Sequence, residues 1–140
     1  MKTYFKYLLV TVLLATAWPA LPAQVLRDAD FNSIGRINTN GMVRDEAGKS
    51  LGEFSADGTV IGRNGEVKGK ISRLEIFDTA GARIGYINSD GTVHDGESHE
   101  LGTVSLGDGK VSDAKGSTLG FARGIRVDWI ACYYFFHMFD

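Results

Sequence analysis

The sequence predicts an all-β protein in which five β-hairpin repeats of 16 to 18 residues form a closed or nearly closed ring. Three observations support this fold class. Glycines recur in register, Asp-Gly or Asn-Gly pairs lie between short apolar runs, and an apolar, aromatic segment ends the chain. All 18 glycines follow residue 23, whereas both prolines precede it. The chain therefore divides into a leader (1–23), a repeat domain (24–124) and an aromatic segment packed on that domain (125–140).

The first 23 residues have the composition of a secretory leader. Lys2 and Lys6 precede an apolar run over 7–17, and small residues and prolines follow up to Ala23. This is the order of a signal peptide, and the apolar run is short for a membrane-spanning helix. We expect cleavage after Ala23 or at a nearby bond, and a protein that is secreted or periplasmic. An uncleaved membrane anchor is the alternative interpretation.

The mature chain of 117 residues is acidic. It keeps 13 basic and 17 acidic residues, a formal charge of −4. Phosphate binding needs a basic surface, so nucleic acid is not an expected partner. Cys132 is the single cysteine, so no internal disulfide can form and packing must hold the fold together. A chain of this length supports one modest core, and we expect no transmembrane helix in it.

The repeat consists of an apolar residue, a leading glycine, a second apolar residue, an Asx-Gly pair and a valine. A fixed period of this kind indicates a repeat architecture. The whole units cover residues 34–50, 51–67, 68–83, 84–100 and 101–118, and a partial unit follows over 119–124. The leading glycines are Gly35, Gly52, Gly69, Gly85, Gly102 and Gly120.

Each unit reads as two short strands joined by a tight turn. Asn-Gly and Asp-Gly pairs favour two-residue hairpin turns with positive φ. The third unit has Glu75 where a turn glycine would stand, which predicts one longer strand through residues 74–77 instead. A leading glycine between apolar residues marks a bulge, a bend or a close approach of another backbone. The candidate core is Ile34, Ile37, Val43, Leu51, Phe54, Val60, Ile71, Ile84, Ile87, Val93, Leu101, Val104, Val111 and Leu119.

Short hairpins cannot bury their apolar faces alone, so the units must share a core. Units of about 17 residues are too short for the four-stranded blades of an ordinary propeller, which need about 40. Two arrangements remain, a ring of hairpins and a β-solenoid with one coil per unit. Pairing of residues 25–31 with 119–123 would hide the two open edges, which favours the ring.

The leading glycines and the closing aromatic run resemble the five-fold β-flower proteins, small secreted bacterial proteins with a signal peptide and five glycine-punctuated hairpin units. The resemblance covers essentially the whole mature chain, and the third unit departs from it. The resemblance implies the shape of the fold and export from the cell. It implies no catalytic residue.

The C-terminal run WIACYYFFHMF holds six aromatic residues within positions 129–139. Neither a period of 2 nor one of 3.6 separates its polar from its apolar residues, so the segment is apolar on every side. Such a segment is usually buried, and we expect it to fill the axis or one face of the ring. Asp128 is a candidate N-cap if the run is helical. Membrane contact or self-association through 129–139 is the alternative.

The stretch HDGESHE over 94–100 is the most chemically suggestive part of the chain. His94 and His99, with neighbouring carboxylates, are ligand types that zinc accepts. Their spacing of five fits neither one helical face nor one strand face, and a solvated turn is the simpler interpretation. No further cofactor is expected. Cys132 is expected to be an inert buried thiol.

The sequence predicts an exported, non-enzymatic binding or structural module of a bacterial cell envelope, with a glycan or an envelope protein as its partner. Turns gathered on one face of a ring would offer Asn40, Asp57, Asp90 and Asp108 to that partner, with Tyr86 and Phe121 as candidate stacking groups. Two alternatives stay open: a metal-dependent enzyme that uses the 94–100 loop, and a membrane-associated or self-associating protein that acts through residues 129–139.

Overall fold

A computed structural model describes residues 24–140; the predicted leader lies outside the described residues. The described chain forms twelve strands followed by one helix, in agreement with the all-β prediction. The elements are β1 (Gln24–Asp28), β2 (Ser33–Ile37), β3 (Met42–Asp45), β4 (Ser50–Phe54), β5 (Thr59–Gly62), β6 (Val67–Ser72), β7 (Glu75–Phe77), β8 (Arg83–Ile87), β9 (Thr92–Asp95), β10 (Glu100–Val104), β11 (Lys110–Asp113), β12 (Thr118–Phe121) and α1 (Val127–Tyr134).

The strands form a closed barrel in which every strand pairs antiparallel with its neighbours in sequence. β12 closes the barrel on β1, where Phe121 pairs with Arg27 and Gly120 with Asp28. The closed ring is therefore confirmed over the solenoid. Five hairpins lie within the units, and the two ends of the repeat domain supply the sixth strand pair. Closure leaves no exposed sheet edge along most of the wall, which removes a template for aggregation.

The leading glycines lie directly after β-bulges. Between β3 and β4, Val43 pairs with Gly52 and Arg44 with Ser50, so Leu51 is the extra residue. The same shift recurs once in every pairing between units. A bulge bends the strand and increases its twist, which a small barrel needs in order to close. The interpretation of the leading glycines as bulge markers is confirmed.

The hairpin turns at the Asx-Gly pairs differ from the expected two-residue type, as the turn at Gly41 shows. The N–H of Gly41 donates to the carbonyl of Asn38, and the N–H of Asn38 donates to the carbonyl of Met42. Gly41 has φ of 94°, whereas Asn40 is not among the residues with positive φ. This is a type I turn followed by a left-handed glycine, a three-residue connection. The two-residue prediction was wrong because only the glycine of each Asx-Gly pair takes positive φ.

The third unit contains a tight turn, so the prediction of one continuous strand through 74–77 was wrong. β6 ends at Ser72 and β7 begins at Glu75, with Ser72 paired to Glu75 across the turn. Arg73 and Leu74 have φ of 52° and 65°. Both values are unusual for residues with side chains. Here the register of the neighbouring hairpins imposes a two-residue turn that the local sequence does not signal.

The core lies inside the barrel. Strand side chains alternate between its two faces, and Ile37, Val43, Phe54 and Val60 are inward-facing and buried. The predicted core residues that precede leading glycines are only half-buried, because they occupy the bulges. Leu26 and Ile76 are buried core residues that the repeat pattern did not identify.

The C-terminal segment fills the barrel, as predicted. Ile130, Ala131 and Cys132 of α1 are buried in the same apolar cluster as the inward strand residues. The ring of Trp129 stacks on that of Phe54, with centroids 5.0 Å apart and planes 7° apart. The helix starts after Arg126, so Asp128 is a first-turn residue and not the N-cap. A helix is about 10 Å across with its side chains, which suits the interior of a small closed barrel.

Tyr134, the last residue of α1, and the residues after it run past five of the six leading glycines one after another. A Cβ atom at these glycines would meet a tail side chain in the order Gly120 with Tyr134, Gly102 with Phe135, Gly85 with Phe136, Gly69 with Met138 and Gly52 with Phe139. These five glycines form a band around the inside of the barrel wall. Because they carry no side chains, the band leaves room for the tail. Tyr134 also donates its hydroxyl to the carbonyl of Arg27 over 2.7 Å, which holds the tail against the closing strand.

Candidate functional site

The predicted binding residues Asn40, Asp57, Asp90 and Asp108 lie on turns at one end of the barrel, which we call the upper rim: the turns within units, residues 38–41, 55–58, 88–91 and 105–109. Each side chain binds its own turn. Oδ1 of Asp57 accepts the N–H of Thr59 over 3.0 Å, and the other three accept the N–H two residues ahead in the same way. One oxygen of each group is thus committed to shaping the turn, and a binding role stays a prediction.

The upper rim also links each unit to the next. The carbonyl of Gly41 accepts the N–H of Phe54, and the carbonyl of Gly58 accepts that of Ile71. A Cβ atom at either glycine would overlap the same neighbouring strand. The turn glycines therefore serve two purposes, positive φ and close contact between units.

Acidification is expected to weaken the fold below about pH 4, where unperturbed aspartates titrate. Backbone N–H bonds from Thr59 and Thr92 lower the pKa values of Asp57 and Asp90. A lowered folded-state pKa adds stability above the unfolded value, and this stability is lost as the pH falls through the folded value. Urea unfolding at pH 7, 4 and 2.5 should show a falling midpoint below pH 4. Asp90→Asn keeps the acceptor without titrating and should show a smaller fall; a midpoint that rises on acidification would contradict this account.

Tyr86 lies on the outer wall, near the end of β8, and not on a turn of the upper rim. Its ring stacks on that of His94, with centroids 4.8 Å apart and planes 10° apart. The guanidinium of Arg83 lies 4.8 Å from the centroid of the same ring and 3.5 Å from a carboxylate oxygen of Glu75. The structure does not group Tyr86 with the rim residues, and its ring is occupied by neighbours within the barrel wall.

His94 and His99 lie in and after β9, and they have different partners. Nδ1 of His99 is 3.1 Å from Oδ2 of Asp95, whereas Nδ1 of His94 has no hydrogen-bond partner among residues 24–140. Within residues 24–140, no three or more His, Cys, Asp or Glu side chains are grouped so that they could hold a metal ion. The metal interpretation of this loop therefore gains no geometric support.

A second series of acidic turns lies at the opposite end, the lower rim, where the turns between units are found. Oδ1 of Asp78 accepts the N–H groups of Ala80 and Ala82, both over 2.9 Å. The same pattern of two bonds recurs at Asp28, Asp95 and Asp113. Sequence reasoning did not identify this series, although the spacing of Asp28, Asp45, Asp78, Asp95 and Asp113 carried the signal.

An open cleft lies on the outer wall where β1 meets β12; we call it the seam cleft. Its volume is about 480 Å³ and its lining residues are Val25, Arg27, Phe31, Asp108, Phe121 and Arg123. Beside this cleft, β1 pairs with β12 through Arg27 and Asp28, whereas it pairs with β2 through Gln24, Val25, Leu26 and Arg27. Asp108 is the one member that the sequence identified as a binding residue, and Phe121 was a candidate stacking group.

A smaller depression lies on the upper rim beside the start of α1. It measures about 160 Å³ and is lined in part by Asp57, Arg126 and Trp129. Arg126 is occupied there, because its Nη2 pairs with Oδ2 of the buried Asp128 at 2.6 Å. Its guanidinium also lies 4.8 Å from the ring centroid of Trp129. The depression is therefore a junction between helix and rim rather than an open site.

The thiol of Cys132 cannot act as a surface nucleophile in this fold. Its side chain is fully buried. Burial raises the pKa of the thiol far above its ordinary value, and the nearby charge of Asp128 raises it further. The expectation of a buried cysteine is confirmed. Within the described residues, no helix is long and apolar enough to cross a membrane.

Comparison with known proteins places this architecture in a family. No curated protein and no solved structure matches the chain. A family model described as "5-fold beta-flower protein" matches residues 23–138, which include every strand and the helix. The family model thus spans most of the sequence, and the closed barrel of glycine-punctuated hairpins agrees with it. The chain belongs to the five-fold beta-flower family.

Proposed function

We propose that this protein is an exported, non-enzymatic binding module of a bacterial cell envelope, and that its ligand site is the seam cleft. The single observation that carries the proposal is the cleft itself, with its volume of about 480 Å³ and its exposed phenyl and guanidinium groups. Small-molecule sites in proteins usually measure about 300 to 1,000 Å³ and combine apolar walls with a few polar groups. The leader-like sequence over 1–23 supports the exported part of the proposal.

Within residues 24–140, the repeat of hairpins is interrupted at the seam. Elsewhere a turn joins the two strands of each hairpin, whereas β12 continues into α1 and β1 begins at Gln24. Arg27, Phe31 and Arg123 lie around the opening at this seam. The repeated strands of the barrel are explained by stability alone. An opening lined by residues that do not recur in every unit is instead suited to bind a ligand.

A non-enzymatic role agrees with how the reactive groups are used. The aspartates of both rims accept backbone N–H groups of their own turns. Asp57 and Asp90 have lowered pKa values, since the bonded N–H groups favour the charged form. A general acid at neutral pH needs the opposite shift. The tail over 129–139 is packed in the core, so action through that segment would require it to leave the barrel.

The binding proposal is tested with the full chain, purified in the form that the producing cell retains. We expect saturable binding to at least one member of a panel of glycans and envelope extracts. Phe31→Ala should weaken it at least tenfold, since Phe31 lines the cleft and is 58% exposed. Leu106→Ala is the matched control, because Leu106 is 61% exposed but lies outside the cleft. Absence of saturable binding, or equal binding by both variants, would refute the proposal.

The export proposal is tested separately by the intact mass of the purified protein. A mass that corresponds to a chain starting at Gln24, or within a few residues of it, supports cleavage. Ala23→Leu should delay processing, because the cleavage site prefers small residues. A wild-type protein that keeps residues 1–23 throughout would contradict the export proposal while leaving the binding result unaffected.

A further inference from the structure

We infer that the ligand of the seam cleft is a carboxylated sugar, bound through its acid group, a ring face and its hydroxyls. This inference rests on the proposed function and specifies its ligand class. The cleft combines three kinds of group that such a ligand needs: guanidinium groups, phenyl rings and a carboxylate.

The guanidinium groups of Arg27 and Arg123 supply the site for the acid group. Within residues 24–140, neither arginine forms an ion pair. Arg27 donates one N–H to the carbonyl of Phe31 over 3.0 Å, which orients the group and leaves its other donors available. Arginine presents a planar fork of donors that matches the two oxygens of a carboxylate. Two such groups lining one cleft favour an anionic ligand.

The phenyl rings of Phe31 and Phe121 supply an apolar surface for the sugar ring. Their centroids lie 5.2 Å apart with planes at 70°, an edge-to-face arrangement that fixes both rings. The guanidinium of Arg27 lies 4.4 Å from the centroid of Phe31. Phe31 is nevertheless 58% exposed, so part of its surface remains open to a ligand. The C–H face of a pyranose can pack on such a surface while its acid group reaches the arginines.

Asp108 distinguishes a sugar acid from a simple anion. Its Oδ1 accepts the N–H of Lys110 over 3.1 Å. Hydrogen bonds from the Ser105 hydroxyl and the Lys110 backbone lower the pKa of this carboxyl, so it is ionised at neutral pH. An ionised carboxylate only accepts hydrogen bonds. It would repel a second acid group of the ligand but can accept bonds from hydroxyls, which sugars carry in excess.

The inference is tested by calorimetry of the full chain with the methyl glycoside of galacturonic acid, which carries a single carboxylate, and with the same sugar methyl-esterified at that carboxyl group. The esterified form keeps the ring and hydroxyls but has no charge. We expect the acid to bind at least tenfold more tightly than the ester, and to bind more weakly as salt is raised. Arg123→Gln should reduce affinity for the acid at least tenfold and leave affinity for the ester unchanged. Arg63→Gln, an exposed arginine outside the cleft, is the matched control and should behave as wild type.

Equal binding of acid and ester, or equal effects of Arg123→Gln and Arg63→Gln, would overturn the inference. If neutral saccharides bind and Phe31→Ala abolishes that binding, the carboxylate is wrong and the proposed function stands. If no saccharide and no envelope fraction binds, both fall. Circular dichroism of each variant checks that the barrel is intact, and Phe31→Ala provides a second variant if Arg123→Gln does not fold.

Discussion

Replacing Gly85 with alanine is expected to destabilise the protein by about 3 kcal/mol, at the upper end of the usual effect of overpacking a core. The new Cβ atom would overlap the ring of Phe136 and would lie 2.7 Å from the carbonyl oxygen of His94. The backbone carbonyl belongs to a paired strand and the ring is held in the tail, so neither can move freely. Denaturant unfolding followed by circular dichroism measures the change.

Gly107→Ala is the matched control for this prediction. No heavy atom lies within 4 Å of a Cβ built at Gly107, and its φ is not positive. We expect its stability to differ from wild type by no more than about 0.5 kcal/mol, the usual range for an innocuous surface change. In a Phe136→Ala background, Gly85→Ala should be less damaging than in wild type, because one of its two clashes is gone. Equal stabilities of the Gly85 and Gly107 variants would show that the tail does not lie on the glycine band.

Trp129→Ala is expected to destabilise the protein by about 3 to 5 kcal/mol, the range for truncating a large buried aromatic residue. Trp129 is 9% exposed and lies parallel to Phe54, which in turn meets Phe139 edge to face at 5.1 Å. Its removal leaves a cavity between the helix, the barrel wall and the end of the tail. Since a domain of this size is stable by only about 5 to 15 kcal/mol, unfolding at 37 °C is a realistic outcome.

The control for Trp129 is His137→Asn, in the same tail. The side chain of His137 is 64% exposed and pairs only with the exposed Asp140. Its φ is 51°, a value that asparagine tolerates well. An exposed pair of this kind contributes about 0 to 1 kcal/mol. If Trp129→Ala were no more destabilising than His137→Asn, the tail would have to lie outside the core.

The spacing of the glycines predicted the fold class because the same local geometry requires a glycine at each junction between units. A bulge at residues such as Leu51, followed by a glycine, recurs wherever one hairpin meets the next. The turn type within units was harder to predict, since an Asx-Gly pair is compatible with two-residue and three-residue connections. The turn at Arg73 and Leu74 could not be predicted from the local sequence. The register of the neighbouring hairpins imposes it, although both residues disfavour the positive φ that they adopt.

The candidate site was only partly predictable. Asx residues of the upper rim were found, but their role in shaping turns depends on hydrogen bonds such as that from Thr92 to Asp90. The seam cleft brings Arg27 and Phe31 from one end of the repeat domain next to Phe121 and Arg123 from the other. Only barrel closure creates this proximity, so no motif of adjacent residues could indicate it. Pairing of the two ends was predicted, but its consequence for the site was not.

Thiol labelling of Cys132 tests most directly whether the tail fills the barrel. This single cysteine is fully buried on α1, so an unmodified protein reports on its own core. In native buffer, we expect essentially no reaction with an aromatic disulfide reagent over hours, and reaction in denaturant that follows the loss of β-sheet circular dichroism. Rapid stoichiometric labelling of protein whose circular dichroism is native would contradict the account, because it would place the aromatic tail in solvent.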